Sequence, residues 1–502
     1  MIVALTGASG SMGKETLKRL LEVAEVTTLR ILLKAEDRAF GRKAQRKYGE
    51  RLEVIYGDVR NKADCIALVT GAAYVYHLAA VIPPRADHDT EDAVTTNYDG
   101  TVNMVDAVIE TGNTARFIHI STVALYGNRD EKHPWGRVGD PLITSAFDLY
   151  GTSKLRAERY LLESDLAHWA VLRQTGILYD NMLMNNISDG LMFHTPWNVP
   201  IEWVTARDSG RLMKNILLRT MDGGEADFWR GVYNIGGGAP CRQTGYETFD
   251  DGFKLIGGSV KSFFEPGWNA LRNFHCFWFS DSDALEERFH FREESCASFW
   301  QWFLSRHKIY SVGKIVPAPL LKSLVIKRLL RNDNAPYYWR KHGEDARVYA
   351  IYGDAEIPAK WADFDLLCER ESYAALKVHS AANDLSHGYD ESKSDVDIDG
   401  SDLAEAAAFR GGEVVGTYKA GDIYKKVAWR CHNGHVFESS PFTVLKAGHW
   451  CPECAMPDKR WTFDSLAKVA PFYAQVWYDT HARDEDKAYG VRDGKAYMEE
   501  IK

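Results

Sequence analysis

The spacing of apolar positions changes within the first twenty-five residues. Ile2 to Leu5 form an unbroken apolar run, as a strand covered on both faces requires. From Leu17 the spacing becomes Leu17, Leu20, Leu21 and Val23, one face of a helix. The alternation continues downstream. Strands are predicted over Thr28 to Leu33, Leu52 to Asp58, Tyr74 to Ala80 and Phe117 to Thr122, and helices from about Asp92 to Ile109 and from Tyr150 to about Glu163. Strands alternating with helices at this rhythm predict an α/β fold with a Rossmann-type, doubly wound parallel sheet. Ligands of such sheets sit beyond the carboxyl ends of the strands, where Gly7, Asp58, Ala79, Ala80 and Thr122 fall.

Length and charge narrow the class. The chain of 502 residues suits two or three domains, and 45% hydrophobic with 26% charged residues is globular composition. A net charge of -9 offers no broad cationic field, so no nucleic-acid partner is expected. No apolar run is long enough to span a bilayer. The nearest, Ile315 to Leu330, is interrupted by Pro317, Pro319, Lys322, Lys327 and Arg328, and reads as a helix packed on the protein rather than one lying on a membrane. The first residues lack the basic start of a secretion signal, and the eight cysteines are thinly spread except near the C-terminus. A reducing, cytoplasmic setting is expected.

Between the first strand and the first helix, glycines recur at Gly7, Gly10 and Gly13. A strand, a glycine turn and a helix start form a pyrophosphate site: the backbone approaches the anion and the first N–H groups of the helix point at it. The second strand ends at Lys34, with Glu36 and Asp37 just beyond. A cation at that strand end favours the 2′-phosphate of NADP over the free hydroxyl of NAD. Tyr150 and Lys154 are four apart on one helix face. The spacing alone says little, since Tyr310/Lys314 and Tyr337/Lys341 share it. Their place after the fifth strand and its terminal Ser121-Thr122 singles the first pair out.

These residues carry a resemblance. Thr6-Gly7-x-x-Gly10-x-x-Gly13, Gly57-Asp58, His77-Leu-Ala-Ala80, Asn97 with Gly100-Thr101, Ser121-Thr122-x-x-Leu125-Tyr126-Gly127, Tyr150-x-x-x-Lys154, Val171-Leu-Arg173 and Tyr233-Asn-Ile-Gly-Gly237 occur in family order. Residues 1–308 resemble the extended short-chain dehydrogenase/reductase family of epimerases, dehydratases and 3β-hydroxysteroid dehydrogenases. The resemblance implies a cofactor core over about 1–175 and a small substrate lobe largely over 176–308. It implies that Thr6, Gly7, Ser9, Gly10, Ser11, Met12, Gly13, Lys34, Asp58, Val59, Leu78, Ala79, Ala80, Ser121, Tyr150 and Lys154 bind the dinucleotide. Thr122, Tyr150 and Lys154 would be catalytic. A free tyrosine titrates near 10, and a neighbouring ammonium with the cationic nicotinamide would lower it. For Asn97 a structural hydrogen bond within its helix is the preferred role.

Two departures narrow the reaction. Val123-Ala124 stand where the family's dehydratases carry an acidic pair, and Ile201 stands where many of its epimerases carry an arginine for the substrate diphosphate, with Arg207 and Arg211 as the alternative cations. Aromatic residues crowd the lobe, among them Phe193, Trp197, Trp203, Trp268 and Phe274. Most suit packing, and any that line the pocket would favour an apolar ketone or alcohol.

Residues 309–400 read as a mixed connecting region ending in an acidic linker, Asp390 to Asp402. In 401–502, Cys431-His-Asn-Gly-His435 and Cys451-Pro-Glu-Cys454 offer two pairs of ligands at zinc spacing. This segment resembles treble-clef or zinc-ribbon modules, with Cys431, His435, Cys451 and Cys454 closing a structural site whose loss would leave the first 300 residues untouched. The sequence thus predicts an NAD(P)-dependent oxidoreductase of a small carbonyl or secondary-alcohol substrate, hydroxysteroid-like if apolar, with an appended zinc module. The alternatives are a nucleotide-sugar epimerase with tightly held NAD and a non-catalytic dinucleotide sensor whose zinc module binds a protein or nucleic-acid partner. The resemblance also implies a homodimer through helices near 95–110 and 150–163.

Overall fold

A computed structural model of the chain describes residues 1–182, 189–353, 364 and 370–501. Part of the 309–400 connecting region therefore lies outside the described residues. The first half runs β1 (Ile2–Thr6), α1 (Ser11–Leu20), β2 (Thr28–Leu33), α2 (Arg38–Tyr48), β3 (Leu52–Tyr56), α3 (Lys62–Val69), β4 (Tyr74–His77), α4 (Gly100–Glu110), β5 (Arg116–Thr122), α5 (Leu149–Leu162), β6 (Trp169–Gln174), α6 (Ala206–Thr220) and β7 (Gly231–Ile235). The seven strands form one parallel sheet in the order β7-β6-β5-β4-β1-β2-β3. The chain reverses between β1 and β4, so both carboxyl ends open on one crevice. β3 and β4 stop short of the predicted ends, which leaves Asp58 and Leu78 to Ala80 in the loops above the sheet. The helix expected over 92–109 begins at Thr90, widens through a π-type turn at Thr95–Asp99 and continues as α4.

Period-two alternation sorts the strands onto two cores. Val3, Leu5, Tyr74, Tyr76, Ile118, Ala170 and Leu172 face α1, α2 and α6. Ala4, Val75, Phe117 and Val171 face the other way, onto α3, α4 and α5. The lobe beyond β6 has its own core, in which Phe193 and Trp197 pack with Phe263, Phe264, Ile326 and Leu329. The basic segment 318–330 therefore lies on the protein with one face, as expected, although Leu320 and Leu324 on its other face are exposed. Among the described residues no helix is long and apolar enough to cross a membrane.

The C-terminal part consists of α7 (Gly400–Phe409), the antiparallel sheet β8 (Gly412–Val414), β9 (Val427–Cys431) and β10 (Val436–Ser439), helices α8 (Phe463–Val469) and α9 (Pro471–Trp477), and the sheet β11 (Arg460–Trp461), β12 (Lys487–Arg492) and β13 (Lys495–Glu500). The acidic stretch before α7 is folded in: Asp399 caps the helix and Lys393 binds the Asp402 carboxylate at 2.8 Å. This part does not hang free. Trp429, Phe442, Val444 and Trp450 belong to the same apolar core as Phe117, Leu161 and Trp169, and the Trp169 and Phe442 rings meet edge to face at 5.8 Å. The expectation that losing the metal would leave the first 300 residues untouched does not survive this shared core.

Candidate active site and metal centre

The β1–α1 turn is a tight cradle. Gly7 adopts φ +72°, and a Cβ there would stand 2.7 Å from the Ala79 nitrogen. At Gly13 a Cβ would fall 1.9 Å from the Gly7 carbonyl oxygen. Only at Gly10 does an added Cβ meet nothing but the Gly7 oxygen, at 3.3 Å, so the open side of the turn lies there. Ser11, Met12 and Gly13 form the first turn of α1, whose N–H groups lack helical acceptors. Thr6 ties the turn to β4: its hydroxyl donates to His77 Nδ1 (2.9 Å) and accepts from the Leu78 and Ala79 N–H groups at 3.1 Å. Burial holds His77 neutral, its pKa near 3, and because the Thr101 hydroxyl donates to the Asn97 carbonyl, His77 Nε2 donates to Thr101 and Nδ1 is the acceptor. The cradle fits a pyrophosphate.

Beyond it lies an open groove of about 840 Å3 lined by Lys34, Tyr56, Asp58, Arg60 and Asp92 among others. Val59, by contrast, is buried in the core beneath it. Charges in the groove are balanced. Lys34 Nζ lies 3.5 Å from Asp92 and 3.8 Å from Asp58, and Arg60 pairs with Asp58 at 2.6 Å. Burial pulls the Asp58 pKa upward, but hydrogen bonds from Arg60 hold it below the usual range. Asp37, not Glu36, reaches the glycine turn: it accepts a 2.8 Å hydrogen bond from Ser9.

Thr122, Tyr150 and Lys154 converge at the carboxyl end of β5. Thr122 closes the strand, and its hydroxyl hydrogen-bonds the Tyr150 phenol. Asp148 caps α5 by accepting from the Gly151 N–H at 2.7 Å, which sets Tyr150 in the first turn of the helix. One turn on, Lys154 Nζ donates to the Ile120 carbonyl (2.7 Å) and lies 3.4 Å from His119 Nε2. Asn97 reaches beyond its own helix: it exchanges hydrogen bonds with the Val81 backbone and donates to Ser153 on α5 at 3.1 Å. Burial pushes the Tyr150 phenol up to about 12, against the Thr122 hydrogen bond, and Lys154 down to about 7, against Glu158. Loss of hydration is the largest cause for the phenol and the Asp148 charge adds to it, while Lys154 is not among the groups that lower it, so Tyr150 carries its proton at neutral pH. Val81, Ala86 and Ala93 wall the phenol on its apolar side.

Sequence reasoning missed the polar seam between lobe and cofactor half. Asn334 donates to Asp87 (3.1 Å) and Asp189 (2.9 Å), while His194 meets the Asn334 carbonyl at 2.7 Å. Nothing in the local sequence marks Asn334. His194 and His275 are packed residues, both driven down in pKa by burial. Arg207 and Arg211, which could replace an arginine at Ile201, are paired with Glu294 and Asp208.

The second site is closed. Cys431 ends β9, His435 precedes β10, and Cys451 and Cys454 lie in the following turn. Their four ligand atoms lie within 4.8 Å of one another. Separations of 3.6 Å between the Cys431 and Cys454 sulfurs, and of 3.4, 3.6 and 3.3 Å from His435 Nδ1 to the Cys431, Cys451 and Cys454 sulfurs, lie within about 0.2 Å of the roughly 3.5–3.8 Å edges of a tetrahedron set by zinc–sulfur and zinc–nitrogen bonds. Asn433 donates to the Cys454 sulfur at 3.3 Å. His449 belongs to another network, 3.0 Å from Glu158.

Comparison with known proteins agrees with the amino-terminal geometry. Residues 3–175 match the NAD dependent epimerase/dehydratase family. Over 168 residues the chain is 26% identical to 3 beta-hydroxysteroid dehydrogenase type 7 of Rattus norvegicus, covering 33% of this chain and 49% of that protein. It is 31% identical over 161 residues to the inverting UDP-N-acetylglucosamine 4,6-dehydratase of Campylobacter jejuni, covering 31% and 46%. Among solved structures, the dTDP-glucose 4,6-dehydratase of Streptomyces venezuelae with NAD superposes with a TM-score of 0.48 at 18% identity, over 62% of this chain and 99% of that one. The chain spans less than half the length of the curated relatives it matches. The glycine cradle, the parallel sheet order and the strand-end residues all lie in or beside the segment 3–175, the part of the chain that is similar to the NAD dependent epimerase/dehydratase family.

Proposed function

We propose that the chain is a nicotinamide-dependent oxidoreductase that reduces a carbonyl, or oxidises the matching secondary alcohol, on a small and largely apolar substrate. The convergence of Thr122, Tyr150 and Lys154 beside the glycine cradle carries this reading. When bound, the nicotinamide supplies or accepts the hydride. Tyr150, a phenol at neutral pH, donates its proton to the carbonyl oxygen, and Thr122 hydrogen-bonds the same oxygen. Lys154 stabilises the phenolate left behind. An apolar substrate is in keeping with the name of the steroid dehydrogenase relative. Two features speak against sugar dehydration and nucleotide-sugar binding. Val123 and Ala124, after Thr122, are buried and carry no acid or base, and Arg207 and Arg211 are already paired.

For the cofactor we infer NAD in place of NADP. Lys34 is already balanced by Asp58 and Asp92, and Asp37 stands at the glycine turn, where a carboxylate can accept from a ribose hydroxyl. For Cys431, His435, Cys451 and Cys454 the reading is one structural zinc, since four protein ligands leave no open position.

The test is a screen of NADH and NADPH oxidation across steroid, aliphatic, aromatic and sugar carbonyls. Net loss of cofactor absorbance with an apolar carbonyl is expected. Interconversion of a nucleotide sugar without net loss would make the chain an epimerase. Tight dinucleotide binding with no turnover on any class would make it a sensor. Either result overturns the reading.

A further inference from the structure

The loop that leads into the metal knuckle also grips the helix bearing Tyr150 and Lys154. Glu158 stands one turn beyond Lys154 and is wholly buried. It binds Arg173 of β6 at 2.6 Å and accepts from Ser121 at 2.6 Å, next to Thr122 on β5. Its remaining partner comes from the far end of the chain: His449 Nε2 donates to the same carboxylate at 3.0 Å. The neighbours of His449 continue the grip. The Ala447 carbonyl accepts from Arg173 at 2.7 Å, and the Trp450 carbonyl accepts from Arg159 at 2.6 Å. One turn further, Glu163 accepts from Ser439 (2.7 Å) and from the Ser440 N–H (3.2 Å) at the end of β10. The loop fits against the catalytic half without slack: Gly448 has φ +81°, and a Cβ there would stand 2.4 Å from the Asp140 carbonyl. The next residue after Trp450 is the ligand Cys451.

We propose that the metal knuckle positions the catalytic helix. By fixing Cys451 it fixes the 447–450 loop, and that loop, through His449 and Glu158, sets α5 against β5 and so holds Tyr150 and Lys154 in register with Thr122. His449 and Glu158 are positioning residues and touch no reacting atom. The consequence for turnover rests on the oxidoreductase reading above; the consequence for the helix does not. A misplacement of reacting groups by about 1 Å costs about a hundredfold in rate, so a small shift of α5 would be felt at the phenol.

The experiment is amide hydrogen exchange on the full chain, read over residues 149–162, with zinc content measured in parallel. Removing the metal with 1,10-phenanthroline is expected to raise exchange there at least tenfold. His449→Ala leaves all four ligands in place, so it should keep its zinc, raise exchange over the same peptide, and lower kcat about 10- to 100-fold with little change in dinucleotide Kd. His449→Gln, which keeps a donor for Glu158, should recover most of both. Wild-type exchange over 149–162 in zinc-loaded His449→Ala would overturn the proposal, as would unchanged exchange after zinc is stripped, or a native chain without zinc. Exchange needs no substrate, so failure of the oxidoreductase reading would show separately, as no net oxidation of NADH or NADPH by the wild type on any carbonyl class.

Discussion

The strand-end site, which has Tyr150 in the first turn of α5, and the Cys431–Cys454 knuckle, whose leading loop holds Arg159 near the other end of α5, are built on opposite plans. The groove is open and lined by opposed charges such as Lys34 with Asp92, and its shape comes from where β2 and β3 end. The knuckle is shut: four soft or imidazole ligands face one another, and its shape comes from two short turns. An open site built on strand ends lets a ligand enter and leave, whereas a closed one stores folding energy. The contrast teaches that chemistry and anchorage are divided between the ends of α5.

The hardest blow to that division is Tyr150→Phe. Removing one hydroxyl from the open site should cut kcat by about 10²- to 10⁴-fold while leaving dinucleotide Kd within about twofold in a calorimetric titration. Retained turnover would remove chemistry from this end of the helix.

Next comes Cys454→Ser at the closed site. It should release the metal and lower stability by several kcal/mol, on the order expected when a structural ligand is lost. Because Phe442 and Trp169 share one core, calorimetry should show one transition moving down as a whole. A separate early transition with an unmoved main one would make the knuckle an independent appendage.

A third measurement concerns Lys154, whose pKa burial lowers to about 7 from 10.5. The unfolded chain then binds about one more proton than the folded chain between pH 7 and 10.5, so this residue makes stability rise with pH across that window; its destabilising effect is largest below pH 7. Lys154→Met should abolish that slope, a difference of a few kcal/mol in unfolding free energy across the window when wild type and variant are compared by denaturant titration at each pH. Identical slopes would mean that the ammonium is better solvated than its surroundings indicate.

The smallest effect is expected at Lys34→Asp. Since Asp58 and Asp92 already offset the ammonium, the NAD-to-NADP ratio of kcat/KM should move by no more than about threefold. A change of a hundredfold would restore Lys34 as a 2′-phosphate ligand.

How far this could be read from the chain follows from the range of each interaction. The strands were legible because burial on both faces demands runs such as Ile2 to Leu5, and the glycine turn because strand, turn and helix are contiguous. Cys431, His435, Cys451 and Cys454 were legible because ligand spacing is local. Charge balance at Lys34 was not, because Asp92 comes from the segment before α4. The destination of Phe193 and Trp197 was not, because aromatic crowding looks alike in a core and in a pocket. His449 stands two residues before the ligand Cys451, yet its partner, Glu158, stands 291 residues earlier. No local pattern encodes such a pairing.

The core that joins Trp169 and Leu161 to Trp429, Phe442 and Trp450 has a practical corollary. A fragment ending near residue 308 would keep every group assigned to hydride transfer, yet it would lay bare the apolar flank of α5 and β6. Such a fragment should clump when expressed alone and stay dispersed when the remainder is supplied beside it as a second polypeptide.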